Sequence, residues 1–218
     1  MAVTDYSGLV ESVQKWVARS DAAFSNRIPD FVLLAEDRIY NGADLEERGP
    51  LYSPPLRSDV LEAKGTLVFD AGSVALPDGF LGFRKLHRPG DRVGLVYMPP
   101  ERWAVRDAAS GGGSPSHFTI EEGQIRTTPG FDGEMQATYW RRLPALSSEA
   151  PQNALILRHP MVYLTAALFE AFSFIQETEL AIGHVSRLRA MLDGLNKTMS
   201  LARVSGGTLR VTPRNAIP

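Results

Sequence analysis

The 218-residue sequence predicts an α+β chain: an antiparallel bundle of about four helices, an inserted small antiparallel β domain, and an extended C-terminal tail. Three observations predict it. Apolar residues recur with helical period at both ends of the chain. Short strand-like runs separated by tight-turn signals fill the middle. After the last helical stretch, Gly206–Gly207 breaks the pattern and the remaining residues alternate. The boundaries follow as a discontinuous helical domain over 1–60 and 145–203, a β insertion over 61–144, and a tail over 204–218.

Tyr6, Leu9, Val10, Val13, Trp16 and Val17 step by three and four, which forms one apolar stripe of a helix. The reading places Trp16 in the core on that stripe. Thr4 or Asp5 is suited to cap the helix, since either side chain accepts from a first-turn N–H. A second helix opens at Ile28–Pro29, with Asp30 near the positive end of its dipole and Phe31, Leu34, Ala35 and Ile39 facing inward. Asn41–Gly42 ends it.

The stretch from Leu45 to Pro55 is punctuated by Pro and Gly and reads as irregular. Seven strand-like runs follow: Thr66–Asp70, Ser73–Leu76, Leu81–Arg88, Arg92–Met98, His117–Glu121, Gln124–Thr128 and Glu134–Arg141. Tight turns at Asp70–Gly72, Pro89–Asp91, Glu122–Gly123 and Asp132–Gly133 make a small antiparallel sheet or barrel the natural arrangement. Pro99–Arg106 carries helical turn character. The loop Ala109–Ser116, with Gly111, Gly112 and Gly113, reads as flexible.

Helix resumes after Pro144. Pro160 fits a first-turn position, where its missing N–H would have no partner in any case, and His159 supports that start. From Met161 to Ile175 apolar residues cover most of the circumference, so this helix must be buried nearly all round. Phe169, Phe172 and Phe174 are therefore candidates for packing against a neighbouring copy as well as against the chain itself. Val185, Leu188, Leu192, Leu195 and Met199 form the seam of the last helix, with Arg187, Arg189, Asp193 and Lys197 off it. In the tail, Leu209 and Val211 alternate with Arg210 and Thr212, so they share one face of an extended segment. Arg203, Arg210 and Arg214 suit an acidic receiving groove.

Lys and Arg number 23 against 25 Asp and Glu, so net charge gives no case for gripping nucleic acid. Cysteine is absent, which excludes disulfides and thiolate metal sites. The N-terminus lacks the basic and apolar regions of a signal peptide, and no apolar run is long enough to span a membrane. His87, His117, His159 and His184 are scattered without ligand spacing. No nucleophile elbow, Walker loop or dinucleotide fingerprint occurs. Glu46–Glu47 and Glu121–Glu122 read as solvated turn residues rather than as an acid–base pair. Trp103, between Arg102 and Arg106 beside a loop, is the candidate interface anchor if exposed. No catalytic residue, metal ligand or cofactor site is nominated.

Six stretches together carry a resemblance: YSGLVESVQKWVARSD with RIPDFVLLAEDRI, ALPDGFLGFRKL, FTIEEGQIRTTP with EMQATYWRRLPALS, and NALILRHPMVYLTAALFEAFSFIQETELA. In this order they resemble the head-to-tail adaptors of tailed bacteriophages, also called head completion or tail tubular A proteins. The resemblance runs from about Tyr6 to Arg210; the triple-glycine loop and the long Leu45–Pro55 linker depart from it. It implies a virion protein of the neck, assembled in the host cytoplasm as a ring of about twelve copies. Its implied partners are the portal protein above and the tail nozzle below, with DNA passing through the lumen without specific binding. It implies no enzymatic activity and no cofactor. Carried over to this chain, the portal-docking tail comprises Arg203, Leu209, Arg210, Val211 and Arg214. Two other readings remain from the residues alone: a tail-associated enzyme such as a cell-wall hydrolase, which needs converging acids or a nucleophile–base pair, and a ligand-binding β module.

Overall fold

The computed structural model describes residues 3–45, 48–103 and 113–204, with side chains through residue 198. Six α-helices and seven strands are defined among them, and residues 100–103 are also helical. The helices are α1 (Tyr6–Val17), α2 (Ala22–Ser25), α3 (Ile28–Asn41), α4 (Ala154–Arg158), α5 (Pro160–Phe174) and α6 (Thr178–Val204). The strands are β1 (Glu62–Phe69), β2 (Ser73–Ala75), β3 (Phe80–His87), β4 (Val96–Tyr97), β5 (His117–Glu121), β6 (Gln124–Thr128) and β7 (Gly133–Arg141). The chain is thus α+β, but the expected set of about four helices becomes six. The two additions, α2 and α4, are only four and five residues long. Each is started by a side-chain cap. The Asp21 carboxylate accepts from the Phe24 N–H, and the Asn153 side chain accepts from the N–H groups of Leu155 and Ile156.

By its internal contacts the chain divides into two units. One comprises Met1–Val3, Gly8–Asp59 and Pro160–Pro218, and the other Thr4–Ser7 and Val60–His159.

In the helical unit, α5 packs against α3 on one side and α6 on another. Val162 to Phe169 form an unbroken buried run, which is how a helix apolar all round hides itself. Arg38 reaches from α3 to Glu170 of α5 at 3.0 Å and lies over the Phe169 ring at 4.1 Å. The Tyr163 hydroxyl donates to the buried Glu36 carboxylate at 3.1 Å. On α6, Val185, Leu188 and Leu192 are fully buried along the expected seam. Gly42 closes α3 with φ +74°, and a Cβ there would lie 2.7 Å from the Ser53 carbonyl oxygen. Only glycine fits this turn.

Two sequence expectations fail in this unit. Trp16 is 53% exposed instead of buried, because α1 buries Leu9 and Val13 and its last turn leaves the indole only an edge contact with His184. Leu34 is likewise exposed; the inward face of α3 is Phe31, Val32, Ala35, Glu36, Ile39 and Tyr40. The buried face thus takes in Val32, Glu36 and Tyr40 in place of Leu34.

The strand-bearing unit holds two sheets instead of one. A three-stranded sheet has the order β1-β7-β3, and a four-stranded sheet the order β2-β6-β5-β4. All pairings are antiparallel except β4 with β5, which is parallel. That pair corrects the expectation of a wholly antiparallel domain. Phe69, Leu86, Phe118, Ile125, Met135, Ala137 and Tyr139 form one buried cluster drawn from both sheets. The layers therefore share a core, as in a small sandwich. The expected run Arg92–Met98 shrinks to the two-residue β4. Its first part instead lies beside β3, where the Leu95 N–H donates to the Leu86 carbonyl. Gly72, at φ +74°, makes the turn into β2, with its missing Cβ position only 2.9 Å from Gly130 Cα.

Candidate assembly surface

The four histidines stay apart. His117 Nδ1 lies 2.8 Å from the Ser116 hydroxyl, while His159 ends α4 with its N–H donated to the Leu155 carbonyl. His184 belongs to the helical unit, and His87 ends β3 with its Nδ1 buried and unpartnered. Among the described residues no three His, Asp or Glu side chains are placed to hold a metal ion, and no helix is long and apolar enough to cross a membrane. The concavities described here are shallow clefts of the strand-bearing unit. One, about 430 Å³, is lined by Ser73, Trp103, Gln124, Arg126 and Thr127.

The structure separates the three phenylalanines of α5. Phe169 and Phe172 are buried within the chain, Phe169 beneath Arg38 and Phe172 stacked on the His184 ring at 5.2 Å. Phe174 is half exposed at the end of the helix. Its ring lies 6.5 Å from Phe24 and 5.4 Å from Phe31. Trp103, the candidate anchor if exposed, is only 6% exposed and lines its cleft. Arg203 falls in the last turn of α6, where only the backbone is described. Leu209, Arg210, Val211 and Arg214 lie outside the described residues.

Phe174 is thus a half-exposed ring seated on two buried ones, Phe24 and Phe31, a meeting that the sequence patterns do not reveal. Trp16 meets the edge of His184 at 6.0 Å, and Leu180, one helical turn before His184, is half exposed. Glu177 and Glu179 are exposed at the start of α6. His184 is held below the usual histidine range, first by burial and then by the nearby Arg187 guanidinium. The Asp21 carboxyl is held low mainly by the Phe24 N–H, with Arg19 assisting. Phe24, Phe31 and Phe174 come from three different helices. Sequence periodicity does not say which ends meet.

A second exposed apolar pair, Leu33 and Leu34, lies on the outer face of α3 near Asp30 and Asp37. A third, Leu45 and Leu51, flanks Tyr52, over whose ring Arg189 lies at 4.8 Å and Arg48 at 6.0 Å. Isolated exposed leucines are ordinary; these lie on α3 and on the segment that follows it.

In comparisons with known proteins, residues 4–212 match the family model described as SU10 adaptor protein. Comparison with curated proteins gives no match.

Proposed function

Because the chain belongs to the SU10 adaptor protein family, a family of phage head-to-tail adaptors, we propose that it is a ring-forming structural part of the virion neck. In this reading about twelve copies form a closed ring between the portal and the tail nozzle, and DNA passes through the lumen. The protein acts by joining and not by turnover. The helical unit carries the copy-to-copy contacts, and the strand-bearing unit meets the nozzle. The tail from Arg203 docks on the portal. The observation that carries the reading is the extent of the family match, which takes in both units. The exposed Trp16, Phe174 and Leu180 support it, since a ring needs apolar surface left uncovered by the subunit's own fold. With α5 already buried by its neighbours, such contacts fall on its exposed end at Phe174 and not on Phe169 or Phe172.

Negative-stain electron microscopy of the chain mixed with portal tests the proposal: ring-shaped particles capping the portal are expected. A chain that stays monomeric by light scattering and leaves the portal bare would overturn it. Removing residues 204–218 should abolish portal attachment without changing the thermal stability of the free subunit. Co-sedimentation at unchanged stoichiometry would sink the docking role of the tail. Duplex DNA should bind the isolated chain weakly and without sequence preference, at a dissociation constant of about 10⁻⁴ M or poorer at physiological salt.

A further inference from the structure

Sheet edges in the strand-bearing unit are not treated alike. β2 and β4 edge their sheet with only three and two residues. β3 is interrupted twice by register shifts against β7, and the Leu95 N–H occupies its Leu86 carbonyl. Short and bulged edges of this kind resist further pairing. β1 is different. Its eight residues pair with β7 in unbroken register from Glu62–Trp140 to Phe69–Gly133. It contains no proline, and its far side receives no backbone hydrogen bond from any described residue between 62 and 68. A long regular edge left in this state is a template for another strand.

The chemistry along that edge indicates what it accepts. Lys64, Thr66 and Val68 are its exposed residues. The other charged residue of the strand, Glu62, is ion-paired with Arg84. Lys64 has no partner among the described residues. A hollow of about 360 Å³ is lined by Lys64, Gly65, Thr66, Gln136 and Ala137, where Gly65 contributes no side chain. Lys64 and Lys85 both stand opposite Thr138, one strand to each side, and Thr66 and His87 both stand opposite Gln136. Lys64 and Lys85 therefore stand on the strands to either side of β7, whose backbones lie about 10 Å apart, with Thr138 and Gln136 on the strand between them. A carboxylate on an added strand would sit beside Lys64, a favourable cross-strand pair, whereas a basic side chain there is repelled. The chain's own tail, with Arg203, Arg210 and Arg214, has the wrong charge.

We propose that β1 is a docking edge for an extended acidic segment of a partner protein, which joins the three-stranded sheet as a fourth strand and places a carboxylate against Lys64. The inference stands on this unit alone and does not depend on ring formation.

The test uses the full chain and labelled ten-residue peptides of alternating valine and glutamate, or valine and lysine, followed by fluorescence anisotropy. The glutamate peptide should bind saturably, and the lysine peptide about three- to tenfold more weakly. N-methylation of alternate peptide nitrogens along one edge should abolish binding, because it removes the backbone bonds that an added strand needs. Lys64→Glu, a change at an exposed position, should reverse the peptide preference while leaving the circular dichroism spectrum unchanged. No saturable binding up to about 1 mM would overturn the proposal. So would binding indifferent to N-methylation or to Lys64→Glu, displacement of the peptide by duplex DNA at physiological salt, or a β1 edge already occupied by a second copy of the chain.

Discussion

His184 lies flat against Phe172 and meets the edge of Trp16, so its ring is half buried in an aromatic setting that disfavours its cation. Its proton is therefore released at lower pH in the folded chain than in the unfolded one. The stability this contributes is fully present above the ordinary histidine value of about 6.5 and is lost as pH falls through the lowered folded value. The melting temperature should drop between about pH 7.5 and pH 5, and His184→Gln should reduce that drop. An identical drop in both proteins would remove His184 from the account. Phe172 beneath it is buried, and Phe172→Ala should cost about 3–5 kcal/mol in a denaturant titration. A loss under about 1 kcal/mol would mean the ring is not a core group. At this scale the sequence was informative for residues inside a periodic seam and silent at its ends. Val185, Leu188 and Leu192 follow from spacing alone. Trp16 does not, because whether a terminal turn is covered depends on what lies beside it.

Short elements depend on caps more than on propensity. α4 has only five residues, below the length at which an isolated helix is stable, and Asn153 starts it with two accepted N–H bonds while its own amide donates to the Pro144 carbonyl. Asn153→Ala should destabilise the chain by about 1–2 kcal/mol, whereas Asn153→Asp, which keeps the accepting oxygen, should cost less. Equal losses in chemical denaturation would show that packing and not capping holds α4. The strands divide by how strongly their turns are marked. β5 and β6 were legible to the residue, since Glu122–Gly123 fixes a tight turn between two runs with clear ends. β1 begins four residues earlier than its apolar pattern suggests, because Glu62 to Gly65 are drawn into the ladder by β7 rather than by their own propensity. The division into two sheets left no local signal: it arises from which strands pair across long intervals of chain.

At the level of the whole molecule, the two units should be separable. Replacing residues 60–159 by a Gly/Ser linker should leave a soluble protein with a helical circular dichroism spectrum, since loop-closure cost grows slowly with length. Loss of helix would show that the units stabilise one another. The α+β class and the helix–sheet–helix order could be read from periodicity, while which large apolar groups stay exposed could not. Exposure at Phe174, Leu33 and Leu51 is a property of the finished fold.

The chain leaves the helical unit after Asp59, and just before that point it is clasped from two directions. Asn196 of α6 accepts the Arg57 N–H at 2.7 Å and donates to the Pro55 carbonyl at 2.9 Å. The Leu56 N–H reaches the Ile39 carbonyl, and the Arg57 guanidinium reaches the Tyr40 carbonyl, both on α3. A pull transmitted along the backbone from residue 60 is consequently shared by two helices before it can fray either one. The exit segment is therefore fastened to α3 and α6 together, so loosening one helix alone does not free it.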